Sequence, residues 1–83
     1  MIAPTLSING SSADDLIAPR VTAHSHLDSA IEALQAATPN GRDYPGDSDR
    51  CLRDREAHYA RIKALRDMQA EILAEAVAIR RAA

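Results

Sequence analysis

The chain reads as an all-α protein, a single antiparallel helical hairpin, and three observations predict this. Two helix-length runs carry apolar residues at alternating spacings of three and four. Seventeen of the 83 residues are alanine, the best helix former and a small spacer between closely packed helices. The stretch densest in turn formers, Pro39 to Asp47, lies between the two runs. Residues 1–83 are therefore expected to form one domain: an extended arm over 1–11, a first helix over 12–38, a loop over 39–47 and a second helix over 48–82.

In the arm, residues 4–9 alternate Leu6 and Ile8 with Thr5 and Ser7, the pattern of a short strand. A strand this short cannot stand alone, so it is expected to lie across the helices or pair with another copy. Asn9-Gly10 ends it. Ser11 or Ser12 then caps the first helix, with Asp14 and Asp15 placed where carboxylates suit the helix dipole.

The apolar stripe of the first helix is Ile17, Val21, His24, Leu27, Ile31 and Leu34. Pro19 interrupts it, removing an amide and crowding the carbonyl four residues back. The helix is either kinked there or broken into a short turn and a fresh start; the phase of the stripe across Pro19 favours the kink. Thr38-Pro39 stops it, and Asn40-Gly41 is expected to take the left-handed backbone conformation of a helix stop.

Asp47 or Ser48 caps the second helix, which contains no Gly or Pro. Its seam reads Leu52, Arg55, Tyr59, Ile62, Leu65, Gln69, Ile72, Ala76 and Ile79. At 1.5 Å per residue it is roughly 50 Å long, more than the first helix can cover. The excess is expected at its C-terminal end, about Ile72 to Ile79, where apolar residues would need a second subunit. Leu65, Ile72, Leu73 and Ile79 are the expected oligomer interface. Composition points the same way: there is no Phe or Trp, and the core rests on seven Leu, seven Ile, two Val and two Met. Small cores of this kind are commonly completed by self-association.

Composition also excludes classes of function. The net charge of −2 divides into −4 over residues 1–47 and +2 over 48–83, which suits antiparallel packing and supplies no basic stripe for nucleic acid. A single cysteine, Cys51, rules out an internal disulfide. No apolar run approaches the ~18 residues of a membrane span, and MIAPTLSING lacks the basic and apolar regions of a secretory signal; the expected location is the cytoplasm. His24 and His26, two apart on a helix, point away from each other and cannot share a metal, while His58 is expected to pair on the surface with Asp54. Cys51, flanked by Arg50 and Arg53 near a helix start, has the setting of a reactive thiol but no partner base; otherwise it fills space. No Gly-rich phosphate loop, paired-carboxylate site or serine elbow is present, so no enzyme, catalytic residue, metal or cofactor is expected.

The candidate binding site is the loop and the turn of helix after it. Arg42 can fork onto a phosphate or carboxylate, and Tyr44 can stack on a ring. With Arg50 and Arg53 they would form an edge for an anionic ligand. The alternative is that Asp43 pairs with an arginine, Tyr44 packs on the end of the hairpin, and the loop only turns the chain.

The segments LSING, LDSAIEALQAATPNGRDYPGDSD and REAHYARIKAL, within residues 6–67, resemble a group of short, mostly uncharacterised bacteriophage proteins. That group shares an ING start and an NGRDY turn between two helices, here Asn40 to Tyr44. Relatives often carry a second tyrosine after the one matching Tyr44 and usually lack a proline at the position of Pro19. The resemblance implies a phage protein in the host cytoplasm, and small oligomeric phage proteins of this kind often counter host defence. By analogy with sponges that trap cyclic-nucleotide signals between helical hairpins, the expected ligand is a cyclic nucleotide or another anionic small molecule. The alternative is an inhibitor or adaptor that grips a host defence protein, or a phage protein, through an exposed helix face.

Overall fold

The computed structural model describes residues 12–83. The expected arm over 1–11 lies outside the described residues. Helix α1 spans Ala13–Ala36, a single 3₁₀ turn η1 spans Gly41–Asp43, and helix α2 spans Ser48–Ala82. The two helices pack side by side as a hairpin.

Ser12 caps α1 in a full capping box: its hydroxyl accepts from the Asp15 amide, and the Asp15 carboxylate accepts from the Ser12 amide. Helix α1 runs unbroken through Pro19, which sits in its second turn. Arg20 braces that turn. Its Nη1 donates to the Leu16 carbonyl at 2.6 Å, while Nε and Nη2 lie 2.8 and 2.6 Å from Oε1 of Glu75 on α2. Glu75 is buried, and this is the one ion pair among the described residues with a buried carboxylate.

A ladder of polar contacts sets the antiparallel register. Arg80 Nη2 meets Asp14 at 2.5 Å; next comes Arg20 with Glu75; then Gln69 Nε2 donates to the His24 carbonyl at 3.1 Å and to Asp28 at 2.6 Å. Near the closed end, His58 Nε2 donates to the Leu34 carbonyl, so that ring nitrogen carries the proton. Between the rungs, Ile31, Ile62, Ala76 and Ile79 are buried.

This register moves the overhang. Arg80 reaches Asp14, so α1 runs alongside the C-terminal end of α2 and Ile79 is 0% exposed. The turns of α2 left without a helical partner are its first ones, and the loop covers them: Tyr44 bonds to Asp54, and Arg55 Nε donates to the Pro39 carbonyl at 2.7 Å. Of the four residues expected at a subunit interface, Ile79 is enclosed within the hairpin, Leu65 and Ile72 are half-buried, and Leu73 alone is open. The early part of the α2 seam also shifts by one residue. Cys51 and His58 are buried, whereas Leu52 and Tyr59 are more than half exposed. Stepping back from Ile62 by strict alternation of four and three lands on His58, Arg55 and Cys51, so helical phase outweighed side-chain polarity. The same holds in α1, where Arg20 faces the seam and Val21 faces out.

The loop corrects a further expectation. Asn40 is extended at φ −115°, and its side chain accepts from the Arg42 amide at 3.0 Å, starting η1. The left-handed residue is Gly46, at φ +75°. Tyr44, Pro45, Gly46 and Asp47 form the tight turn, closed by the Asp47 amide on the Tyr44 carbonyl at 3.0 Å; proline second and a positive-φ glycine third mark type II.

Two stability measurements test this account. Arg20→Met leaves the Glu75 carboxylate buried without a partner and should cost about 3–5 kcal/mol in chemical denaturation; adding Glu75→Leu should recover a large part of that. Gly46→Ala forces a Cβ into the left-handed region and should cost about 1–2 kcal/mol. Gly41→Ala, with nothing within 4 Å of the new methyl, should be neutral or stabilise by up to about 1 kcal/mol.

Candidate functional site

The site predicted from the sequence gathers at the closed end of the hairpin, and the structure joins two of its four residues. Tyr44 leaves η1 and turns back over α2, where its hydroxyl donates to Oδ2 of Asp54 at 2.6 Å. The Arg50 guanidinium carbon stands 5.8 Å from the centroid of the same ring, within cation–π range. Arg50 is positioned by the helix start itself, because its amide donates to the Asp47 cap at 3.0 Å. Arg42 and Arg53 are exposed, and among the described residues neither side chain makes a hydrogen bond or an ion pair.

The expected pairing of Asp43 with Arg42 or a helix arginine does not occur among the described residues. The concavity beside Arg50 is lined by Asp43, Tyr44, Pro45 and Asp47, so two carboxylates share it with one guanidinium. Over residues 39–55 as a whole, Arg42, Arg50, Arg53 and Arg55 balance Asp43, Asp47, Asp49 and Asp54. The field at this end is therefore mixed in sign, and an anion gains affinity here from direct contacts rather than from a general positive potential.

Sequence reasoning missed Asp54 and misread the role of Arg55. Asp54, read as a surface partner of His58, fixes Tyr44 instead. Arg55, read as an ordinary seam residue, holds the start of the loop. Neither contact has a sequence signal, since each depends on how the loop folds back over α2. Cys51 is buried beneath the loop, which makes it a small filler rather than an accessible nucleophile. His24 lies along the groove between the helices with its Nδ1 3.8 Å from Asp28, while His26 is exposed. Among the described residues no His, Cys, Asp and Glu side chains converge into a metal-holding group, and no helix is long and apolar enough to cross a membrane.

Compared with protein-family models, curated proteins and solved structures, the chain has no significant match.

The bond between Tyr44 and Asp54 has a pH signature. Donation to the Asp54 carboxylate, then desolvation, then the charge of Asp54 raise the phenol above its ordinary value of 10.0, outweighing the opposing pull of Arg50. A group whose pKa is raised by folding stabilises the fold fully below its unfolded value and loses that contribution as pH climbs through the folded one. Denaturation midpoints should therefore hold up to about pH 10 and fall above it, with a smaller alkaline loss in Tyr44→Phe. Phenolate absorbance of wild type minus variant should titrate above the ordinary tyrosine range.

Proposed function

We propose that the protein is a non-enzymatic binding protein that holds an anionic, nucleotide-type ligand at the loop end of the hairpin, in an assembly of more than one copy, and thereby counters host immunity. The observation that carries the binding part is the Tyr44–Arg50 pair. A ring fixed by one hydrogen bond, with a guanidinium over its face, is a preformed platform for a base and a phosphate. Arg42 and Arg53 add exposed guanidinium groups that make no ion pair among the described residues. A single loop is charge-balanced, so one copy alone is a weak anion site, and loops from two copies would double the direct contacts. The role against host defence rests on the resemblance of the NGRDY turn and its flanking helices to phage proteins, and puts the protein in the host cytoplasm.

A second reading is favoured by a different observation. Leu52, Tyr59, Leu73 and Val77 are each at least 40% exposed on α2. Such a surface also suits an adaptor that grips a host defence protein or another phage protein through its helix face.

A thermal-shift panel separates the two. Under the first reading, cyclic nucleotides raise the melting temperature in a concentration-dependent way while inorganic phosphate at the same concentration does little. Arg42→Ala should keep stability within about 0.5 kcal/mol and lose most of the ligand-induced shift. If no cyclic or linear nucleotide moves the melting temperature, the sequestration reading fails and the adaptor reading stands.

A further inference from the structure

Along one side of the hairpin the two helices leave an apolar groove of about 170 Å³, lined by Arg20, Val21, His24, Ile72, Leu73 and Ala76. Val21 and Leu73 flank it and are 58% and 54% exposed. Seven-residue steps keep a residue on the same helix face, so the margins of this face can be read off. On α1 the steps from Val21 reach Asp14 and Asp28, and Glu32 lies one turn beyond; all three are acidic and exposed. On α2 the steps from Leu73 reach Arg66, Tyr59 and Leu52 in one direction and Arg80 in the other; between them run Lys63, Ala70 and Val77, with Glu56 the one acid. The face therefore has an acidic margin, an apolar middle and a largely basic margin.

We infer that this face is where a second copy of the chain docks, about a two-fold axis parallel to the helices. That rotation preserves helix direction, so α1 of one copy meets α2 of the other antiparallel and the dimer is a four-helix bundle. Inside the hairpin the observed register pairs 14 with 80, 20 with 75, 24 with 69 and 34 with 58. Carried across the dimer, it brings Val21 of one copy level with Leu73 of the other, Asp28 with Arg66 and Glu32 with Lys63, each within about a turn. Acidic margin meets basic margin twice, and the two grooves close over each other. Glu32 and Arg66 make no ion pair among the described residues and so are available for it. Asp28 already accepts from Gln69, and Lys63 reaches Asp67 at 2.7 Å on its own helix, an exposed pair that exchanges partners at little cost. Ala70, on the same face, lets the backbones approach. The competing arrangement, with α2 against α2 head to tail, brings Leu73 near its own symmetry mate and leaves the acidic margin of α1 unused.

Because the axis runs along the hairpin, both loops lie at one end of the dimer, and the Tyr44–Arg50 platforms of the two copies share that end. This extends the oligomeric part of the proposal above and rests on that reading only for what the shared end binds. Self-association and ligand binding are measured separately, so either can fail alone.

Two experiments test it. In analytical ultracentrifugation, wild type should be dimeric or larger at micromolar concentration. Glu32→Lys and Lys63→Glu should each weaken association about tenfold or more, since both juxtapose like charges, and the double variant should restore it. Restoration cannot come from misfolding, and circular dichroism of the single variants should keep its helical signal. Separately, in a Cys51→Ala background, chains carrying Asp28→Cys mixed with chains carrying Arg66→Cys should be joined by a short bis-maleimide, whereas a head-to-tail pairing centred on Leu73 would hold these positions about 20 Å apart along the axis. A monomeric wild type, a double variant no better than the singles, or failure of Asp28→Cys and Arg66→Cys to join would each overturn the inference. So would a monomer that dimerises only after removal of residues 1–11, which would assign the face to that segment.

Discussion

The hairpin depends on Arg20 and Glu75. A seam with no Phe or Trp has too few large side chains to set its own register, because alanine offers little difference between one alignment and the next. Directional contacts remove that ambiguity. Arg20 ties the turn disturbed by Pro19 to a buried carboxylate on the other helix, and sliding the helices by one turn would leave Glu75 charged and unpaired. Gln69 and His58 repeat the logic at the backbone level by donating to carbonyls of α1. No buried side-chain nitrogen or oxygen among the described residues lacks a partner, so this polar seam is fully satisfied.

Register in turn decides what the loop is for. Once Arg80 is level with Asp14 and Leu34 with His58, about eight residues of the longer helix, 48–55, extend past the end of α1, and the chain between the helices must pass over them. Tyr44 and Arg55 are the attachments that hold it there. The loop is thus part of the core of the closed end, with Cys51 beneath it, as well as the place where exposed arginines collect. The two roles are compatible. Tyr44 is held through its hydroxyl, which leaves Arg42 and Arg53 outside the structural contacts, so a binding role for them does not compete with folding.

The same register has a further consequence for the outer surface. With Ile79 and Ala76 facing α1, the apolar residues left exposed toward the C-terminal end of α2 include those one position further round, Leu73 and Val77, and they run beside charged residues that repeat on the heptad. An interface built on them is smaller and more dependent on charge than a bare overhanging apolar end would be.

Helix content, helix ends and the position of the turn were legible in the sequence, because capping, periodicity and turn chemistry are local. Ser12 with Asp15, and Pro45-Gly46, act over three or four residues and need nothing from the rest of the chain. The phase of the seam was legible only in part: Ile62 to Ile79 announced it through apolar side chains, but His58 and Arg20 disguised it, since a polar residue enters a seam when a backbone carbonyl or a carboxylate waits opposite. That information lives on the other helix. Likewise Tyr44 could be named as a candidate but not placed, because its partner Asp54 is chosen by the path of the loop over α2. Which end of the long helix stands uncovered was settled by tertiary structure alone. Two helices of unequal length can be aligned at either end, and the alignment follows from Asp14 with Arg80, Arg20 with Glu75 and Gln69 with Asp28, contacts between residues more than forty positions apart.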